Sequence, residues 1–167
     1  MTLSLYILRH AKAEDATDGR KDHERVLRPR GRRAARAVGR FLARIGEVPE
    51  KVLCSDAARA RETAEVAREA GGWRTALELK PELYGASAGG LLATVQASSP
   101  DARRVLLVGH QPALGLLIAT LTGAEPDFPT AALARADFEL NAWSALRERT
   151  GTLRWLVTPE LLEPGKD

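Results

Sequence analysis

Two short apolar runs constrain this chain more than any other feature. Leu3-Ser4-Leu5-Tyr6-Ile7-Leu8 stops abruptly at Arg9-His10, and Val105-Leu106-Leu107-Val108 stops at Gly109-His110. Five of the six residues before Arg9 are apolar or aromatic, a continuous pattern that suits a strand covered on both faces. Strands of that kind belong to mostly parallel sheets with helices on both sides, where ligands bind outside the carboxyl ends of the strands. Each run therefore delivers an imidazole to the edge where chemistry is expected.

The segments between the runs read as helices and further strands. Pro29 and Gly31 precede Ala34, Ala35, Val38, Phe41, Leu42 and Ile45 at helical spacing, and Gly46 and Pro49 end that helix. Lys51 to Cys54 predicts a second strand, with Ser55 as N-cap and Asp56 in the first turn of a helix to about Ala70, closed by Gly71-Gly72. A weak strand over Ala76 to Leu79, a loop over Pro81 to Gly85 and a helix over Gly90 to Ala97, ended by Ser98, Ser99 and Pro100, follow. Gly109 reads as a tight turn, and Pro112 as the start of a helix over Ala113 to Leu121. Ala132 to Leu140 alternates like a half-exposed strand near an edge, Ala142 to Arg149 suits one or two helical turns, and Thr152 to Val157 is a last strand before a Pro-punctuated tail. The polar stretch Ala13 to Asp22 reads as a loop over the end of the first strand.

At 167 residues and 44% hydrophobic, the expectation is one domain, 1–167, with a sizeable core. No apolar run approaches a membrane span, and the first residues lack the features of a secretory signal, so a soluble cytoplasmic protein is expected. The single cysteine, Cys54, excludes an internal disulfide and reads as a small buried hydrophobe. The 25 basic and 22 acidic residues leave a net charge of +3, too mild an excess to call for nucleic acid. Arg32, Arg36, Arg40 and Arg44, with Arg33 beside them, form a stripe without interleaved acids. It is either a solvated helix face or a docking surface for an acidic or phosphorylated partner.

If the strands are parallel, Arg9-His10, Arg59 and His110 arrive at one sheet edge from three separate segments. Two cations and two imidazoles with no acid in the same motifs favour phosphate chemistry. A neutral histidine with a free lone pair attacks phosphorus, and fixed cationic donors stabilise charge spread over the transferring group. His10 is the candidate nucleophile, His110 the second catalytic imidazole, and Arg9 and Arg59 the candidate phosphate ligands. His23 has no such context and reads as a structural residue. The sequence contains no G-x-G-x-x-G, no Gly-Lys-Ser/Thr phosphate loop and no His-Glu-x-x-His, so neither a cofactor nor a metal is expected.

These residues resemble the histidine phosphatase superfamily. Leu8-Arg9-His10-Ala11 matches its opening strand and Arg-His-Gly, Ser55-Asp56-Ala57-Ala58-Arg59-Ala60-Arg61-Glu62-Thr63 its Ser-Pro-x-x-Arg-Ala-x-x-Thr, and Val108-Gly109-His110 its later Gly-His. Arg-His-Ala-Lys and the ending Gly151-Thr152-Leu153-Arg154-Trp155-Leu156-Val157-Thr158-Pro159 are similar to the SixA-type phosphohistidine phosphatases. The resemblance implies a phosphoglycerate mutase-like fold, a three-layer αβα sandwich whose mostly parallel central sheet carries an antiparallel edge strand. It also implies His10 as phosphoacceptor, Arg9 and Arg59 as phosphate ligands, and His110 as the second histidine. Three positions depart from the pattern: Ala11 replaces Gly at the turn that aims His10, Asp56 replaces Pro, and Arg28 stands where a capping Thr is common. The expected activity is metal-independent hydrolysis of phosphohistidine on a partner protein, a phosphotransfer domain or phosphocarrier, in signal transduction. A phosphatase of small sugar or nucleotide phosphates and a non-catalytic phospho-partner module are the alternatives. Glu82 is the nearest candidate for a general acid, and its spacing does not match the longer family members.

Overall fold

The computed structural model describes residues 1–98 and 101–163. Six strands form one sheet in the order β3-β2-β4-β1-β5-β6, comprising β1 (Thr2–Arg9), β2 (Lys51–Ser55), β3 (Leu77–Lys80), β4 (Arg104–Gly109), β5 (Leu133–Glu139) and β6 (Gly151–Val157). The helices are α1 (Pro29–Arg44), α2 (Ala58–Gly71), α3 (Ala88–Gln96), α4 (Ala113–Thr122) and the short α5 (Pro159–Leu162). The β1–β4, β4–β2 and β2–β3 pairs are parallel, whereas β5 runs antiparallel to both β1 and β6. The antiparallel strand thus sits one place in from the rim, which β6 occupies, and its alternation reads correctly as near-edge.

Burial on both faces explains the unbroken apolar runs. Leu5, Ile7, Val105 and Leu107 pack with Leu91 and Val95 of α3 and Leu114, Leu117 and Ile118 of α4. The intervening Tyr6, Leu8, Leu106 and Val108 pack with Val38 and Leu42 of α1 and Ala60, Ala64 and Ala67 of α2. The α/β architecture is therefore three layers, with α1 and α2 on one face and α3 and α4 on the other. Cys54 is fully buried on the α1/α2 side. Gly39 lets α1 approach α2 closely, since a Cβ there would lie 1.9 Å from the Ala67 carbonyl oxygen.

The strand order fixes where a site belongs. From β1 the chain crosses toward β2 on one side, and from β4 it crosses toward β5 on the other. The adjacent ends of β1 and β4 therefore flank the point where connections part, the crevice in which open α/β sheets bind ligands. His10 and His110 follow those two ends, and the His10 amide donates to the Gly109 carbonyl at 3.1 Å.

Several local expectations need correction. Ser55 is not an N-cap: it ends β2, the N-cap position falls to Ala57, and Asp56 precedes the helix instead of lying in its first turn. Gly109 is the last residue of β4 and lacks a positive φ, so no tight turn requires it. The helix expected from Gly90 begins at Ala88, capped by Ser87, whose hydroxyl accepts from the Gly90 amide at 3.1 Å. Ser99 and Pro100, expected to end it, lie outside the described residues, as does the tail beyond Glu163. The turns expected within Ala142 to Arg149 reduce to one 3-10 turn, Trp143–Ala145. Among the described residues no helix is long and apolar enough to cross a membrane.

Candidate active site

Each functional side chain is placed by an element end. His10 follows β1 and is 9% exposed. Its Nδ1 lies 2.8 Å from the Ala11 carbonyl oxygen, an acceptor only, so Nδ1 carries the proton and Nε2 keeps its lone pair. Arg59, in the first turn of α2, donates from Nε toward that Nε2 at 3.4 Å. His110 follows β4, with its ring 5.2 Å from the His10 ring. Arg9, the last residue of β1, donates from Nη1 to the Phe128 carbonyl at 3.1 Å. The four residues expected from the sequence all line one cleft of about 290 Å³, together with Lys12, Arg25 and Gln111.

Ala11 fits its position without strain. Among the described residues the non-glycine positions with positive φ are Ala131 and Arg149, so this turn does not need the glycine common in the pattern. The Ala11 methyl is buried with Ala13, Leu27 and Ala35. Its amide donates to Thr63 Oγ1 at 2.9 Å, and that hydroxyl donates to the Arg59 carbonyl at 2.6 Å. The motif threonine therefore ties the His10 turn to the helix carrying Arg59. Ala131, at φ 58°, does related work from the other side, its amide reaching the Arg9 and His10 carbonyls, each at 3.1 Å.

The electrostatics keep both imidazoles neutral. Burial lowers the His10 pKa to about 3; the Ala11 hydrogen bond opposes this, and His110, Arg59 and Arg9 add to it. Burial likewise lowers His110 to about 4, with Arg59 the next contributor. His110 Nε2 lies 2.8 Å from Ser55 Oγ, which accepts the Ala57 amide at 3.3 Å. Among the described residues, Arg9 Nε and His110 Nδ1 are buried without a protein partner, two polar atoms at the cleft, and the Arg9 Nε–H is a donor that an oxyanion would satisfy.

Sequence reasoning missed Asp22. Its carbonyl accepts from Arg59 Nη1 at 2.8 Å, and its Oδ2 accepts from Arg59 Nη2 at 3.1 Å and from the Tyr84 hydroxyl at 2.7 Å. Arg25 Nε adds a bond to Oδ1 at 2.9 Å. These partners, the Tyr84 hydrogen bond foremost, lower the Asp22 pKa to about 2. Asp22 occupies both terminal nitrogens of Arg59 and leaves the Nε–H turned to His10. His23, read as structural, pairs with Asp56 at 2.8 Å and stands edge-on to Tyr84. The one available signal was that the polar Ala13 to Asp22 segment overlies the strand end. Glu82 is exposed on the 3-10 turn Pro81–Leu83 and does not line the cleft.

The sequence profile of the histidine phosphatase superfamily (branch 1) matches residues 5–92. The chain belongs to the histidine phosphatase superfamily. Phosphohistidine phosphatase SixA of Escherichia coli (strain K12) is 29% identical over 168 residues, 98% of this chain and 99% of that protein. An uncharacterized protein of Mycobacterium tuberculosis (strain ATCC 25618 / H37Rv) is 33% identical over 138 residues, 76% of this chain and 84% of its own length. The solved structure of the protein histidine phosphatase SixA complexed with tungstate superposes with a TM-score of 0.82 at 28% identity, covering 96% of this chain and 100% of that one. Within the histidine phosphatases the chain is of the SixA type, and the fold is the phosphoglycerate mutase-like one.

Proposed function

We propose that the protein hydrolyses phosphohistidine on a partner protein through a covalent phosphohistidine intermediate on His10. The observation that carries this reading is His10 itself: a neutral imidazole whose Nδ1 is engaged by Ala11, leaving the Nε2 lone pair beside Arg59 Nε at 3.4 Å. His10 Nε2 attacks phosphorus while the P–N bond of the substrate breaks. The bonding pair stays with the substrate imidazole, which leaves as a neutral ring because its other nitrogen carries the proton. Water then attacks the phosphorus on His10, the P–N pair returns to Nε2, and both protons of that water leave with the phosphate as dihydrogen phosphate.

Arg9 and Arg59 hold the equatorial oxygens, whose charge is best met by donors fixed in advance. In this mechanism the Ser55 hydroxyl, which accepts the Ala57 amide, donates to His110 Nε2, so that the imidazole proton sits on Nδ1, the atom that lacks a protein partner among the described residues. His110 then offers that N–H to the transferring group. No carboxylic acid is required for a leaving group of this kind, which agrees with an Asp22 held ionised by its partners and a Glu82 away from the cleft. The E. coli relative carries the name phosphohistidine phosphatase, which supports the same substrate class.

The test is phosphate release from a phosphohistidine-bearing carrier protein in the presence of EDTA. Release by the wild type and none by His10→Ala is expected. Undiminished release by His10→Ala overturns the mechanism, and faster turnover of sugar or nucleotide phosphates transfers the function to small esters.

A further inference from the structure

We propose that the exposed arginine face of α1 docks the acidic surface of the phosphohistidine protein whose phosphoryl group enters the cleft, an inference that rests on the function proposed above. The first observation is how differently the arginines are employed. Arg20, Arg28, Arg104 and Arg135 each pair with a carboxylate. Along α1, which contains no acidic residue, Arg32 is drawn to Glu62 of α2 at 2.5 Å and Arg44 lies over the Phe41 ring. Those two leave the stripe. Arg36 and Arg40 remain exposed and make no ion pair or hydrogen bond among the described residues. Spaced by four, they lie on one side of the helix.

The second observation is continuity with the reaction cleft. Lys12, two residues beyond His10, lines that cleft and also a neighbouring one of about 170 Å³ shared with Arg30, Arg33 and, from the C-terminal segment, Glu160 and Glu163. The start of α1 is held against Lys12, because the Arg28 amide donates to its carbonyl at 2.9 Å and a Cβ on Gly31 would lie 2.2 Å from that oxygen. Basic side chains therefore run from the cleft mouth onto the helix through Lys12, Arg30 and Arg33, offset in part by Glu160 and Glu163 at its start, while Arg36 and Arg40 beyond them face no acid of their own helix. From Arg33 to Arg40 it extends about 10 Å at ~1.5 Å per residue. A domain of ~100 residues has a radius of gyration of about 13 Å and spans cleft and stripe together, whereas a small ester reaches the cleft alone. The net charge of +3 is small for a nucleic-acid partner.

Charges of this kind act on encounter and fall off with salt. The test compares wild type with the Arg36→Glu/Arg40→Glu double variant on two substrates, the phosphoramidate ion and an acidic phosphotransfer domain phosphorylated on histidine. The expected result is unchanged turnover of phosphoramidate and a KM for the protein substrate raised at least about tenfold, with kcat preserved. The gap between the two proteins closes toward ~0.5 M salt, where the Debye length shrinks to a few ångströms. Equal KM for the protein substrate overturns the proposal. So does an equal loss on both substrates, which marks damage to the site, and so does lost binding of a duplex DNA of about 20 base pairs with protein turnover unchanged, which assigns the ridge to nucleic acid. Release from neither substrate by the wild type is a different outcome: it removes the proposed function, and this inference with it.

Discussion

Two polar clusters sit on this sheet, and they are built on opposite plans. In the first, Arg135 on β5 meets Glu47 and bridges Asp137 with Nε and Nη2 at 2.8 and 3.0 Å. Tyr6 donates to Glu47 at 3.0 Å, Ser4 to Asp137 at 2.8 Å, and Arg154 approaches Asp137 at 3.5 Å. Anions and cations balance, and each carboxylate is multiply bonded. In the second, at the ends of β1 and β4, Arg9, Lys12, Arg25 and Arg59 line the cleft with Asp15, and Asp22 takes Arg25 and Arg59 from behind it, so cations still outnumber acids. The imidazoles are kept neutral, and two buried polar atoms, Arg9 Nε and His110 Nδ1, have no protein partner among the described residues. A closed network ties strands to a loop; an unbalanced one with unmade bonds is prepared for an anion that the fold does not itself supply.

Mutations should separate the two clusters by what they damage. The largest effect is expected from Arg59→Ala, which removes the donor beside His10: turnover of a phosphohistidine protein falls by about 10³-fold or more, measured by phosphate release, with the fold retained by circular dichroism. Arg135→Met should do the reverse, lowering stability by about 1–3 kcal/mol in urea titration while leaving kcat within a few-fold. Equal loss of turnover in both variants would erase the distinction between the clusters. Asp22→Asn probes the join between order and reactivity. By loosening the hold on Arg59 it should cut kcat by about tenfold, on the scale of a charge-assisted hydrogen bond of roughly 1.5 kcal/mol, without a comparable change in KM.

The smallest signal is spectroscopic. Ring shifts of His10 and His110 followed by NMR should stay those of neutral imidazole as pH falls from 8 to 5, because both pKa values lie at about 3 and 4 in the folded chain. The sign of the linked stability follows: the unfolded chain takes up these protons near pH 6.5, before the folded one does. Stability is therefore highest above 6.5 and declines as pH drops toward 3, and His10→Asn should flatten that decline. Titration of either ring near 6.5 contradicts the burial argument.

The parts of the site that were legible in the sequence share one property: they sit where a periodic pattern stops. Arg9-His10 and Gly109-His110 interrupt apolar runs, and Arg59 opens a helix, so chain position alone brings them to one edge. Asp22 opens the three-residue 3-10 turn Asp22–Glu24 and Tyr84 follows another, Pro81–Leu83, both too short to leave a periodic pattern in the sequence. They reach the site through the tertiary bonds to Arg59, which a linear reading does not contain. Ser55 shows a different failure. A serine before a helical pattern is a favourable N-cap in general, but here the strand extends through it and its hydroxyl turns to His110. The arginine stripe was half legible, since spacing placed it on one face while only the fold could show that Glu62 and Phe41 take Arg32 and Arg44 out of it.

The central claim is that Nε2 of a neutral His10, held beside the Arg59 Nε–H, carries the phosphoryl group from the substrate to water. Its most direct test is to mix the protein with carrier phosphorylated on histidine, quench within milliseconds, and locate the transferred phosphate by peptide mapping at alkaline pH. The account predicts an acid-labile, alkali-stable phosphate on His10 that forms before free phosphate and is absent from His10→Ala. Phosphate release with no labelled enzyme at any time, or label on His110 in place of His10, contradicts it.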